Sequence, residues 1–125
     1  MSAGSRARDD GRRAELAVAD YLFARGFRIL GRNVRLGRLE LDVVARRGPL
    51  AVVVEVRTRA ADAYVGALGS IDRAKRERLL RATEVLWASR PAAFRSVDRL
   101  RIDAAAVFFT GASTRIEYVE GAVTG

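Results

Sequence analysis

The chain has 125 residues, half of them apolar and 30% charged, which fits one globular domain with one core and excludes a chain disordered as a whole. Lys and Arg outnumber Asp and Glu 23 to 15, and the net charge of +8 makes a field that attracts polyanions, nucleic acid first among them. Cys and His are both absent, which excludes disulfides, thiolate or imidazole metal sites and the usual general base, and leaves carboxylates, Lys, Arg, Tyr and hydroxyls for any chemistry.

Residues 1–10 read as a flexible basic tail, and 11–121 as a single domain. The tail lacks the apolar stretch of a secretory signal, and no run approaches the roughly 18–20 apolar residues of a bilayer span. The expectation is a cytoplasmic protein with no membrane partner. A first helix is predicted from Gly11 to Arg25, with Ala14, Ala17, Val18, Tyr21 and Leu22 on its inner stripe, Asp10 as its cap and Gly26 at its end. Leu16 and Phe23 fall on the opposite face, where they are stray surface apolars or part of a homodimer contact.

A strand is predicted over Phe27–Arg35, then a hairpin of Leu39–Ala45 and Leu50–Thr58 around Arg46-Arg47-Gly48-Pro49. A Gly/Ala-rich loop follows from Arg59 to Gly69. Ser70 is the expected cap of a second helix, Ile71–Ser89, with Pro91 just beyond it. Strands over Leu100–Phe109 and Arg115–Val119 complete the order α-β-β-β-α-β-β. A strand, a long helix and a strand in succession imply a crossover between parallel strands.

Strand side chains alternate faces. Leu39, Leu41, Val43 and Ala45 are therefore expected on one face, and Glu40, Asp42 and Val44 on the other. Folding about the Arg47-Gly48 midpoint sets Glu40 opposite Glu55, Asp42 opposite Val53 and Arg38 opposite Arg57. Three acids then converge on one face. Like charges facing each other on a sheet are unfavourable, so either Arg38, Arg57 and Arg101 neutralise them or a divalent cation does. Glu15, at the border of the helical stripe, could reach over the sheet or simply face solvent. The second helix carries Arg73, Lys75, Arg76, Arg78 and Arg81, a set that could grip phosphates or form a solvated face paired to Asp72, Glu77 and Glu84. Tyr64 is the better candidate for stacking on a base, and Trp87 the better candidate for the core.

In this order and spacing, Glu15, Tyr21-Leu22, Gly26-Phe27, Arg32-Asn33, Glu40-Leu41-Asp42, Val54 to Arg59, Lys75 with Leu79, and Arg101-Ile102-Asp103 resemble the YraN-like family of bacterial proteins. That family is assigned to the restriction-endonuclease-like, PD-(D/E)XK, superfamily. The resemblance implies an α/β fold with an αβββαβ core and a mixed central sheet flanked by helices. It implies a metal-dependent phosphodiesterase site holding Mg²⁺ or Mn²⁺. Asp42 and Glu55 would be metal ligands, with the Val56 carbonyl, Glu15 and Glu40 as further oxygens. Two residues depart from the pattern: Leu39 stands where the family has Gly, and Arg57 where the superfamily has its catalytic Lys. Lys75 is the single Lys among the 23 basic residues and could substitute for it from the second helix.

The sequence thus points to a nucleic-acid-binding protein, DNA ahead of RNA, and to an endonuclease using Asp42, Glu55, Arg57 and Lys75. Arg59, Arg73, Lys75, Arg76, Arg78 and Tyr64 would contact the nucleic acid. The alternative is a binding or assembly module that keeps the fold with catalysis impaired. A third reading is a basic protein-interaction domain.

Overall fold

The computed structural model describes residues 3–59 and 71–123, and the side chains of the first helix from residue 9 onward. The expected loop with Tyr64 and the expected cap Ser70 fall on residues 60–70, outside the described set.

Helix α1 spans Ala3–Ala24. It begins well before Gly11, so the segment read as a tail is helical from Ala3 and Asp10 lies within the helix rather than capping it. The Ala and Arg residues of that stretch are strong helix formers, and it contains no Pro. Its end follows expectation. Gly26 takes φ 87, Gly26 N–H donates to Phe23 O and Phe27 N–H to Leu22 O, both at 3.0 Å. This is the paired-bond ending that a left-handed glycine permits.

Strands β1 (Arg28–Leu36), β2 (Leu39–Arg47) and β3 (Leu50–Arg59) precede helix α2 (Arg73–Ser89), and β4 (Arg99–Thr110) and β5 (Ser113–Val123) follow it. The strands lie side by side in chain order, with β3 and β4 parallel and every other neighbouring pair antiparallel. This is the αβββαβ order and mixed sheet that the sequence resemblance implied, with β5 added at one edge. Helix α1 covers one face, packing Ala14, Val18 and Leu22 on Val43, Val52, Val54 and Val107. Helix α2 covers the other, packing Leu79, Ala82 and Leu86 against Leu41, Val44 and Val53. Burial on both faces explains the unbroken apolar run Ala51–Val54 in β3.

Two features of the hairpin depart from expectation. The observed register pairs Val43 with Val54, Val44 with Val53 and Arg47 with Leu50. The turn is therefore the two-residue Gly48-Pro49, centred one residue later than the Arg47-Gly48 midpoint. Gly48 takes φ 57, as the first position of a tight primed hairpin turn demands, and Pro49 supplies the negative φ that follows. Glu40 is thus not opposite Glu55, nor Asp42 opposite Val53, nor Arg38 opposite Arg57. Glu40 instead pairs with Arg35 on β1.

Strict alternation also fails along β2. Leu41 and Val44, three residues apart, both pack in the α2 layer, whereas Val43 and Ala45 pack in the α1 layer. The break falls at Asp42-Val43, next to Asn33 of β1, which takes φ 52. Asn tolerates that left-handed conformation better than most residues.

Helix α2 starts two residues later than expected. Asp72 caps it, accepting from Lys75 N–H at 2.8 Å. Trp87, expected in the core, is 40% exposed and stacks on Phe94. Among the described residues no helix is long and apolar enough to cross a membrane.

Candidate metal centre

The β2–β3 ladder ends at Val43–Val54. Just beyond, Asp42 turns its carboxylate across the gap, and its Oδ2 accepts from Val56 N–H at 2.8 Å. The side chain replaces a ladder bond and is fixed between the two strands. Asp42 carries Glu40 beside it, and α1 brings Glu15 over the same spot. One carboxylate oxygen from each of Glu15, Glu40 and Asp42 lies within 4.8 Å of the others. Glu15 is 8% exposed, and Asn33 Nδ2 donates to its Oε1 at 3.0 Å. The sequence left Glu15 between a reaching and a solvent-facing role; the helix packs it inward.

Glu55 is buried in β3 and, by the hairpin register, lies across the strand gap from Asp42. Two residues on from Val53, it shares that residue's face and so faces the α2 side, where Lys75 Nζ meets its Oε1 at 2.7 Å. Glu40, Asp42 and Glu55 line one cavity of ≈ 350 Å³ together with Arg38, Lys75 and Arg78, while Glu15 is not part of that lining. Acid crowding shows in the titration of Asp42. Burial first, then the nearby Glu55 charge, raises its pKa from 3.8 to about 7, against the lowering effect of the Val56 N–H. Burial also raises Glu15, with the Asn33 hydrogen bond opposing it.

The remaining site candidates sort by position. Val56 touches Asp42 through its N–H. Arg57 lies on β3 beyond Glu55 and pairs in register with Ala106. Arg59 donates to the Thr58 carbonyl. Arg73 sits at the outer surface, 3.8 Å from Glu77. Arg76 follows Lys75 on α2, and its N–H donates to Asp72 O at 2.9 Å. Arg78 joins Lys75 at the cavity, while Arg81 lines a neighbouring depression with Arg78 and Glu77. Arg101 does not neutralise the trio. It forks onto the fully buried Asp103 of its own strand, at 2.8 and 3.0 Å, and reaches Glu120.

Two residues escaped the sequence reading as functional or structural supports. Asn33 orients Glu15; the signal was an Asn in the middle of a strand pattern. Asp103 anchors the irregular end of the β4–β5 pairing. It accepts from Tyr118 Oη at 2.5 Å and from Gly121 N–H at 2.8 Å, where β5 bulges. An acid among apolar neighbours in a central strand was the clue.

The model of the family described as "Uncharacterised protein family UPF0102" matches residues 14–107, from α1 through β4. The chain belongs to the UPF0102 family. This is the YraN family whose ordered motifs the sequence resembles, and the matched span contains all four acids and Lys75. A UPF0102 protein of Sorangium cellulosum is 48% identical over 126 residues, covering 97% of this chain and 88% of that protein. UPF0102 proteins of Pseudomonas paraeruginosa and Methylococcus capsulatus are 41% and 37% identical, over 75% and 90% of this chain and 80% and 89% of theirs. Among solved structures, SfsA of Pyrococcus furiosus in complex with Ca2+ overlaps with a TM-score of 0.41 at 17% identity, over 95% of this chain and 65% of that one. So loose an overlap carries nothing about the site from one protein to the other.

Proposed function

We propose that this protein is a metal-dependent nuclease that hydrolyses phosphodiester bonds in DNA or structured nucleic acid. The observation that carries the reading is the gathering of Glu15, Glu40 and Asp42 within 4.8 Å, from a helix and a strand. Folding brings like charges together there at a cost, and an ion held among them offsets it. The donor set fits a hard cation: all are carboxylate oxygens, which suit Mg²⁺ or Mn²⁺. Asp42, Glu15 and Glu40 would hold the ion, with Glu55 alongside. Such an ion lowers the pKa of a bound water and neutralises charge on a phosphoryl group.

The chain's own groups do the rest. Val56 N–H fixes Asp42, and Asn33 fixes Glu15. Arg38 and Arg78 at the cavity can hold phosphates without reading sequence. A guanidinium at Arg57 can stabilise developing negative charge but does not serve as a general base.

The test is a nicking assay on linear, flapped and four-way DNA with Mg²⁺ or Mn²⁺. Wild type is expected to cleave at least one substrate, and Asp42→Ala to lose that cleavage. Equal cleavage by Asp42→Ala would sink the assignment.

A second reading, a nucleic-acid-binding or assembly module with impaired catalysis, draws support from Arg57 at the usual lysine position. It expects binding that weakens steeply with salt and is indifferent to EDTA. Tight Mg²⁺ binding abolished by Asp42→Ala would count against it.

A further inference from the structure

Lys75 is the one Lys in a chain whose other basic residues are all Arg. Its ammonium also meets the buried Glu55, Nζ to Oε1 at 2.7 Å. The two observations belong together. A guanidinium would fork onto the carboxylate through two of its five donors and stay fully charged and locked. An ammonium on a flexible four-carbon stem makes a point contact that is easily given up. Lys75 is about a third exposed and opens onto the ≈ 350 Å³ cavity, so it has room to withdraw. Glu55 is only 7% exposed at its side chain, so it needs a positive neighbour whenever it is ionised.

We infer that Lys75 is an exchangeable internal cation. It neutralises Glu55 when the site holds no divalent ion, and it releases Glu55 when one binds. The inference rests on the metal-site reading above and assigns Lys75 a role in regulating that site. A divalent ion entering among Glu15, Glu40 and Asp42 and drawing Glu55 into its oxygen set competes with the ammonium for the Glu55 carboxylate. Lys75 is then free to turn toward a phosphate in the same cavity.

Because the chain has one Lys, protein labelled with ¹³C and ¹⁵N in lysine gives a single side-chain Cε–Nζ signal. That signal is followed while the full chain, without nucleic acid, is titrated with MgCl₂. It is expected to move from a restrained to a mobile ammonium as the site fills. In calorimetry, Lys75→Met is expected to bind Mg²⁺ about five- to tenfold more tightly, the effect of removing one unit charge a few ångströms away in a water-like medium. Arg78→Met removes a unit charge from the same cavity without freeing Glu55, and is expected to tighten binding by a clearly smaller factor than Lys75→Met. Lys75→Arg keeps the charge, tightens its grip and is expected to weaken Mg²⁺ binding. It also serves where Lys75→Met proves too unstable to measure. A lysine signal that stays still through saturation, or equal effects of Lys75→Met and Arg78→Met, overturns the exchange while leaving the metal site standing. Failure of wild type and all variants to bind any Mg²⁺ overturns the metal site itself and the exchange with it.

Discussion

Asp42 is the residue on which the candidate site turns, and its titration has a direct consequence for stability. Its pKa in the fold is about 7 against an ordinary 3.8. Between those values the native state holds a proton that the unfolded chain has released, so stability falls as pH rises through the window. The favourable contribution is fully present below about 3.8 and lost above about 7. Asp42→Asn keeps an acceptor for Val56 N–H and removes the charge. It is expected to raise stability by roughly 1–3 kcal/mol at pH 8, with the gain vanishing toward pH 4 in paired denaturant titrations. The opposite slope, with wild type gaining stability between pH 4 and 7, would contradict the assignment. Asn33 makes a second residue-scale case. Asn33→Gly keeps the left-handed backbone open and removes the donor to Glu15, whereas Asn33→Ala adds backbone strain at φ 52. Both are expected to weaken Mg²⁺ binding by about 10–100-fold, the usual loss when a ligand's support is removed. Asn33→Ala should also be less stable than Asn33→Gly, by roughly 1–2 kcal/mol in denaturant titrations.

At the scale of elements, the crossover from β3 through α2 to β4 needs its return segment tied down. Arg46 on β2 does this, donating to the Ala93, Arg95 and Gly48 carbonyls at 2.8 to 3.1 Å. Pro49 O takes the N–H groups of Asp98 and Arg99 at 3.0 and 3.2 Å. The hairpin turn and the entry to β4 are thus one unit. Arg46→Met is expected to cost roughly 1.5–3 kcal/mol by chemical denaturation, as three carbonyls lose a charged donor. The β4–β5 end depends similarly on Asp103, which is fully buried with a guanidinium, a phenol and a backbone N–H around it. Burial and the Asp103 carboxylate both push the Tyr118 hydroxyl up, so that it stays a donor. Asp103→Ala leaves the Arg101 charge partly stranded and is expected to cost roughly 3–5 kcal/mol. Tyr118→Phe, which removes one bond from the network, should cost about 1–2 kcal/mol. Equal costs for the two would show that Arg101 finds another partner.

For the molecule as a whole, the +8 charge and the carboxylate floor of the cavity act in opposite directions. Nucleic-acid affinity, if carried by phosphate contacts, should fall log-linearly with salt, each lost contact reducing the slope by about 0.9 on duplex DNA. Arg78→Ala and Arg38→Ala are each expected to flatten that slope by about one contact, measured by fluorescence anisotropy with Ca²⁺ present. Arg73→Ala, 93% exposed and facing Glu77, should leave it nearly unchanged.

Much of the architecture is legible from sequence because it follows from local periodicity. The stripe of Ala14, Val18 and Leu22 requires a helix with one buried side, the unbroken valines of β3 require a strand covered twice, and Gly26 and Gly48 mark places where the backbone must take positive φ. The inventory of acids and the solitary Lys75 can also be read there, since residue chemistry needs no coordinates. Their grouping cannot. A hairpin centred one residue later moved every cross-strand partner, and a break in alternation at Asp42 turned its carboxylate into the gap between strands. Glu15 and Lys75, distant in the chain, reached the acids only because α1 and α2 pack on opposite faces of the same sheet. Spacing along a chain fixes which way a side chain leaves its own element; which charges meet is set by how the elements dock, through contacts remote in sequence.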